Sequence, residues 1–481
     1  MPVQGSLGKK QLSMPLQSPC NRSRKPNPCY HNQQMAKTPL DWIKKMGAWF
    51  KRRIQWLAPG MGIKRWLAAI LVGTVLISLG LAVLILDIYR TAAEPRWLPL
   101  LSVLSLRFLA RPLRALIFGG SGALLMLWGI WGLNRSLLRP FIKPGSPLLE
   151  TVSAYRRRER GPHIVVIGGG TGLSALLRGL KAYTHNLTAI VTVADDGGSS
   201  GELRRNLGVL PPGDIRNCLA ALSNDEALLT QLFQYRFSNG PGLEGHSLGN
   251  LLITALADIT GSFEEAVAES GRVLAVQGRV LPATLHDVRL VADVSLPMQK
   301  KGVVVRGESE IPKAAGKIRR VWLEPGSPAA FPPAIQALLS ADLILIGPGS
   351  LYTSILPNLL VPHLAQAMRA SRALKFYICN VATQIGETDG YHCGDHVRTI
   401  EKHLGSGLFD LVICNDQYGV NLPEGPEWVT PEEDLKERYT MYTADLVDKD
   451  NPWRHDSARL AQTIMDLYYD RTGPLVNHEG E

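Results

Sequence analysis

The chain has 481 residues, 45% hydrophobic and 20% charged, enough for one large globular domain or two ordinary ones. Its net charge of +10 is unevenly placed: residues 1–160 hold 25 Lys/Arg against 5 Asp/Glu, and the remaining 321 hold 27 against 37. The acidic part has no basic helix interleaved with aromatic residues, so no nucleic-acid partner is expected.

The basic leader, residues 1–60, is rich in Pro, Ser, Asn and Gln and reads as disordered. Residues 61–140 read as a membrane module. Trp66 to Leu86 runs 21 residues without a charge, and Ala115 to Leu133 runs 19, each suited to a hydrocarbon core about 30 Å thick. The first run begins too far into the chain, and lacks the small-residue cleavage site, for a signal peptide. Trp97 to Leu106 is too short to span and precedes Arg107, Arg111 and Arg114, as an interfacial helix would. Thirteen Lys/Arg before the first span, and Arg135, Arg139, Lys143 and the cluster Arg156, Arg157, Arg158 and Arg160 beyond the second, place both flanks in the cytoplasm. Five arginines between Asp87 and Arg114 oppose that orientation. Residues 141–160 form a basic linker.

From Gly161 onward short β-rich runs alternate with amphipathic stretches, the mark of an α/β domain with a largely parallel sheet covered by helices. Strands are expected at His163–Gly168, Leu187–Val193, Leu343–Gly347, Lys375–Asn380 and Asp410–Asn415, with a β-rich insertion near 278–325 and a last helix over Ser457–Tyr469. The first strand runs into Gly168-Gly169-Gly170-Thr171-Gly172, where glycine lets backbone N–H groups approach a phosphate at a helix start. A dinucleotide fingerprint would want glycine where Leu173 stands, which disfavours a nicotinamide-dependent oxidoreductase. The second strand ends on Asp195 and Asp196, candidate ligands for a hard cation such as Mg²⁺, followed by the anion-binding loop Gly197, Gly198 and Ser199.

In the stretch Pro211–Leu222, Asp214 reads as a helix cap or a ligand, and Arg216 and Asn217 lie in the first helical turn, where an arginine opposes the dipole unless it meets an anion. Further on, His246 and Asn250 share a helical face, with Ser247 a cap and His246 a candidate for proton transfer without an identified partner. The later strands lead to Gly347, Gly349, Ser350 and Thr353, to Asn380 with Thr383, Gln384 and Glu387, and to Asn415 and Tyr418. Five strands that all end in polar, mostly glycine-bearing loops describe one cleft. The six cysteines, Cys20, Cys29, Cys218, Cys379, Cys393 and Cys414, form no C-x-x-C pair, so neither zinc nor a disulfide framework is expected; Cys379 and Cys414 read as small buried hydrophobes.

The motifs VVIGGGTGLSALLRGLK, LTAIVTVADDGGSSGELRR, LPPGDIRNCLAAL, LFQYRF, GHSLGNLL, LIGPGSLYTSILPNLLVP and YICNVATQIGETDGY resemble the YvcK-type gluconeogenesis-factor family, related to the CofD 2-phospho-L-lactate transferases. The resemblance implies a three-layer α/β/α fold with a Rossmann-like sheet and a nucleotide-type ligand at its carboxyl edge. In the YvcK-type branch, which the motifs match better, it implies a UDP-sugar ligand and a role in carbon metabolism, envelope synthesis and cell shape without an established reaction. In the transferase branch it implies Mg²⁺ and transfer of a phospholactyl group from a guanosine diphosphate donor to a deazaflavin acceptor. By motif position it assigns Gly169, Gly170, Thr171, Asp195, Asp196, Asn217, Gly349 and Ser350 to the nucleotide. Tyr418 for stacking and Arg454 for a diphosphate are added on chemical grounds. Homo-oligomerisation, partners in envelope synthesis or regulation, and a multi-pass plasma-membrane location complete the expectations. The membrane extension departs from the soluble family pattern.

Overall fold

The computed structural model describes residues 64–88, 106, 108–138, 158–223, 227–296, 302–419, 421–432 and 437–473. The leader, nearly all of the Trp97–Leu106 run, and the linker up to residue 157 lie outside these. The chain divides into two units, Met1–Gly145 and Ser146–Glu481.

Among its described residues the first unit has two helices, α1 (Lys64–Ile88) and α2 (Arg111–Leu138). They run antiparallel and touch where side chains are missing: a Cβ on Gly73 would lie 2.7 Å from the Gly122 carbonyl oxygen, and one on Gly122 equally close to that of Gly73. Small residues let two apolar helices approach this way without a polar seam. Leu71, Val75, Leu116, Leu124 and Trp131 point outward and are exposed. Pro112–Leu133, 22 residues with a mean hydropathy of 1.7, is long and apolar enough to cross a membrane by length and composition; Ala68–Val83 is a shorter apolar stretch.

The second unit is built on β1 (Ile164–Gly168), α3 (Gly170–Leu180), β2 (Leu187–Val191), α4 (Gly198–Leu207), α5 (Gly213–Leu222), α6 (Ala227–Gln234), α7 (Leu248–Thr260), α8 (Phe263–Val273) and β3 (Arg279–Pro282). There follow β4 (Arg289–Ser295), β5 (Val303–Arg306), β6 (Lys317–Glu324), α9 (Pro332–Leu339), β7 (Leu343–Ile346), α10 (Pro362–Ala370), β8 (Leu374–Ile378), α11 (Cys393–Leu404), β9 (Leu411–Asn415), β10 (Met441–Ala444) and α12 (Ser457–Thr472). Seven strands pair in the order β10-β9-β8-β7-β1-β2-β3, each pair parallel.

In β1, Ile164 and Val166 enter one core with Leu173, Leu176 and Leu460, while Val165 and Ile167 enter the other with Leu338, Ile355 and Val397. Alternate side chains thus meet helices on opposite faces, which explains why the central strands are apolar throughout.

β4, β5 and β6 form a separate antiparallel sheet in the order β5-β4-β6, and Leu290, Ala292, Val294, Ile318 and Val321 pack it into the core on the α9–α11 side. The insertion is therefore narrower than the expected 278–325, because the run at Gly278 supplies β3 of the main sheet through parallel pairing with β2. β10 was not expected; it is a half-buried edge strand without a continuous apolar run. The sulfurs of Cys393 and Cys414 lie in disulfide contact, contrary to the expectation of no disulfide, because α11 starts directly over the end of β9.

Candidate functional site

β1 lies between β2 and β7, so the loops leaving β1 and β7 diverge at their carboxyl ends and open a crevice there. This cleft of about 360 Å³ is lined by Gly169, Gly170, Thr171 and Gly172 after β1, by Gly349 and Ser350 after β7, by Asn380 to Ile385 after β8, and by Arg454. Gly170 has φ +66°, in the left-handed region where a side chain is strained. Gly172 is required by proximity, since a Cβ there would lie 2.8 Å from the Pro348 carbonyl oxygen.

Three amides brace the walls. Asn380 Nδ2 donates to the Gly349 carbonyl (3.0 Å) and its Oδ1 accepts from Gly349 N–H (3.3 Å). Asn358 Nδ2 donates to the Gly168 carbonyl (2.9 Å). Gln384 Nε2 donates to Ser350 Oγ (2.6 Å). Arg454 is exposed at the mouth, with no ion pair among the described residues. Gly347 sits at the foot of the β7 loop with φ +82°.

A polar cluster adjoins the β1 loop. The Asp214 carboxylate accepts from Gly170 N–H, and a Cβ on Gly169 would lie 2.6 Å from its Oδ2. Asp214 is the second residue of α5 and does not cap it. Asp195 accepts from Gly197 N–H (2.9 Å) and faces Asp214 across the start of α5. Asp196 turns to the insertion, its Oδ1 accepting from Ser309 N–H (2.9 Å).

The same insertion loop brings in Glu308, and the loop after β8 brings Glu387, which accepts from Thr353 Oγ1 (3.0 Å). Burial raises the Asp195 carboxyl above its ordinary value. Burial, then the neighbouring Asp195, raises Asp214 from 3.8 to about 6. Burial raises Glu387 from 4.5 to about 7, and burial with four neighbouring acids raises Glu308 well above its usual range. The Oε2 atoms of Glu308 and Glu387 are buried with no hydrogen-bond partner among the described residues. Carboxylate oxygens suit a hard cation such as Mg²⁺ by chemistry, but among the described residues no three of them gather within 4.8 Å of one another.

The third part of the cluster gives His246 its partners. Its Nδ1 lies 2.9 Å from Ser199 Oγ, Asn250 Nδ2 donates to that same Oγ (3.0 Å), and Nε2 lies 3.4 Å from the Glu202 carboxylate. Glu202 favours the tautomer with a proton on Nε2, which leaves Nδ1 to accept from the serine hydroxyl. Ser247 caps α7 as expected, accepting from Asn250 N–H (3.2 Å). Arg216 is buried, bonds Asn217 Oδ1 through Nη2 (2.9 Å), and keeps a buried Nε without a partner among the described residues. Gly198, with φ +45°, starts α4.

The expected residues thus fall into a cleft group (Gly169 to Gly172, Gly349, Ser350, Asn380, Arg454) and a cluster group (Asp195 to Ser199, Arg216, Asn217, His246, Asn250). Thr353 belongs to Glu387 rather than to the cleft lining. Tyr418 is outside the lining too, its hydroxyl donating to the Asn415 carbonyl (2.8 Å) and its ring edge-on to Trp428. Glu202 and Glu308 were not anticipated; a charged residue in a polar stretch gives no sequence signal of its own.

Comparison with known proteins agrees with this architecture. Residues 164–467 match the family model described as 2-phospho-L-lactate transferase CofD. A Bacillus subtilis protein named gluconeogenesis factor is 46% identical over 327 residues, covering 64% of this chain and 98% of its own. A Nostoc protein carrying the gluconeogenesis-factor name is 46% identical over 448 residues, 90% of this chain and 91% of its own. The crystal structure of a UPF0052-family protein from Bacillus halodurans has a TM-score of 0.60 at 46% identity, covering 64% of this chain and 99% of that one. The chain therefore belongs to the CofD family and is related to its gluconeogenesis factors, proteins of carbon metabolism.

Proposed function

We propose that this protein is a membrane-anchored, cytoplasm-facing regulator that binds a UDP-sugar and links carbon metabolism to envelope synthesis and cell shape. The observation that carries the reading is the cleft at the β1/β7 divergence. It has the volume of a small-ligand site, two glycine loops along its walls, the α3 start with its positive dipole end, and Arg454 at the mouth for a diphosphate.

The membrane part of the proposal rests on the apolar hairpin of α1 and α2 and on the positive charge flanking it. The Nostoc match of 448 residues is longer than the 321 residues from Gly161 onward, so that relative shares sequence upstream of the CofD domain.

Isothermal titration of the fragment Gly161–Glu481 with UDP-N-acetylglucosamine, GDP and NAD⁺, each with and without Mg²⁺, tests the reading. Tight UDP-sugar binding with ligand recovered intact supports it. Preference for GDP, or cleaved ligand, replaces it with the second reading, a Mg²⁺-dependent transferase acting on a nucleotide diphosphate-linked donor. The orphaned oxygens of Glu308 and Glu387 and the Ser199–His246–Glu202 chain favour that alternative. In it the carboxylates of Asp195, Asp214 and Glu308 would supply oxygen donors for the cation, which would neutralise charge at a phosphate, and His246 would accept a proton at Nδ1.

A further inference from the structure

Three of the cysteines converge although no spacing in the sequence joins them. The Sγ atoms of Cys379, Cys393 and Cys414 all lie within 4.8 Å of one another and all three residues are buried. Cys379 follows β8 and stays in its ladder, its N–H donating to the Ile413 carbonyl (3.0 Å), so it lies beside Cys414 on the neighbouring strand. Cys393 is the first residue of α11, fixed by a capping box in which His392 and Asp395 bond each other's backbone N–H groups. Cys218, the other described cysteine, lies in the opposite core.

We propose that these three side chains form a trithiolate site for a thiophilic d¹⁰ cation, Zn²⁺ or Cu⁺. A disulfide uses two sulfurs and leaves the third as filler, whereas a metal uses all three. Sulfurs held about 2.3 Å from one ion stand roughly 4 Å apart; all three lie within 4.8 Å of one another, and the Cys393 and Cys414 sulfurs, in disulfide contact here, have to part on reduction to reach that spacing. The Cα atoms of Cys393 and Cys414 are 7.0 Å apart, beyond the usual disulfide span of about 4.4–6.8 Å. All the donors are soft, which selects d¹⁰ ions over Mg²⁺ or Ca²⁺.

Cys393 sits at the positive end of a 12-residue helix, which favours its thiolate. Burial holds the Cys379 thiol protonated in the metal-free chain, so loading releases its proton to solvent as the sulfur–metal bond forms. No electron is transferred in that step. Where Cys393 and Cys414 are joined, a phosphine reductant supplies the two electrons that return both thiols. Cys379 and Cys393 bracket the loop that lines the cleft and carries Glu387, so a bound ion would pin both ends of that loop.

The test takes the full chain, purified under phosphine reductant and without chelator, and measures zinc and copper by elemental analysis. Separate titrations with Zn²⁺ and Cu⁺ then decide between the ions, and Co²⁺ is read by its thiolate charge-transfer band. About one equivalent of a d¹⁰ ion per chain is expected, with all three thiols protected from alkylation until a chelator is added. Cys379→Ser keeps the Cys393/Cys414 pair and should lower retained metal roughly tenfold or more, while Cys218→Ser should not change it. The proposal is overturned if reduced wild type takes up neither ion, if the three thiols alkylate without metal release, or if Cys379→Ser retains metal like wild type. Wild-type uptake and protection decide the matter should Cys379→Ser fail to fold.

Discussion

Replacing Asp214 by Asn tests whether the acid cluster is held at a cost that a cation relieves. The folded state raises this carboxyl from 3.8 to about 6, so it binds more protons than the unfolded chain, and stability falls as pH rises between those values. About two pKa units correspond to roughly 3 kcal/mol lost by pH 8, of which about half is already lost at pH 5. Asn keeps an oxygen for the Gly170 N–H and removes the charge. Allowing ~1 kcal/mol for a less well satisfied amide, the variant gains roughly 2 kcal/mol at pH 8, about 3 °C in Tm for a unit of 321 residues at ~2.1 cal/mol/K per residue. Thermal denaturation of Gly161–Glu481 is the assay; the Bacillus halodurans structure, almost wholly covered by this region, shows that such a unit folds alone. Measured in chelator at pH 5 and pH 8, the gain should be near zero at pH 5. Added Mg²⁺ should stabilise wild type at pH 8 and the variant little. A variant less stable than wild type at both pH values, or an equal Mg²⁺ response in both proteins, would refute the reasoning.

Arg454→Ala removes an exposed guanidinium at the cleft mouth, so Tm should not move; the UDP-sugar Kd by calorimetry should rise about 10- to 100-fold, the worth of a charged hydrogen bond. An unchanged Kd would take Arg454 out of the site. Ser199→Ala leaves His246 Nδ1 and Asn250 Nδ2 unpaired in a buried place and should cost ~1–3 kcal/mol in denaturant unfolding; a negligible cost would mean that other groups satisfy them. Gly172→Ala drives a Cβ against the Pro348 carbonyl, which should cost ~1–3 kcal/mol and weaken ligand binding, whereas Gly119→Ala, where nothing lies within 4 Å, is the neutral control in the full chain.

How far this was legible in the sequence depended on whether the signal was local. β1, β2, β7, β8 and β9 are buried in the sheet, so each announced itself as an apolar run; the polar loops after β1, β7 and β8 marked the cleft, whereas those after β2 and β9 lie outside its lining. β10 is half-exposed and silent. The border between β3 and the insertion was hidden because alternation looks the same in either sheet. Glycine loops were readable because a steric demand falls on one residue. Glu308 joins Asp195 and Asp214 only because the insertion folds back, as the bond from Ser309 to Asp196 across 113 residues shows. The partners of His246 and the meeting of three cysteines are likewise products of topology, carried by no spacing.

The geometry imposes one coupling that neither region shows alone. The cleft suits an anion, with its glycine loops, helix start and Arg454, yet Asp214 touches the same β1 loop and stands with four other acids behind it. A diphosphate placed there meets like charge, and even at an effective dielectric of about 20 a pair of unit charges 4 Å apart repels by roughly 4 kcal/mol. Either the acids take up protons, or a divalent cation stands between them and the phosphates. The second route predicts that Mg²⁺ tightens UDP-sugar binding at pH 8 and that the sugar nucleotide tightens Mg²⁺ binding by the same factor, as linkage requires. The first predicts affinity that falls from pH 5 to pH 8 and ignores Mg²⁺. Titrations at the two pH values separate them, and affinity indifferent to both variables would mean that the ligand's phosphates lie away from Asp214, on the Arg454 side of the cleft.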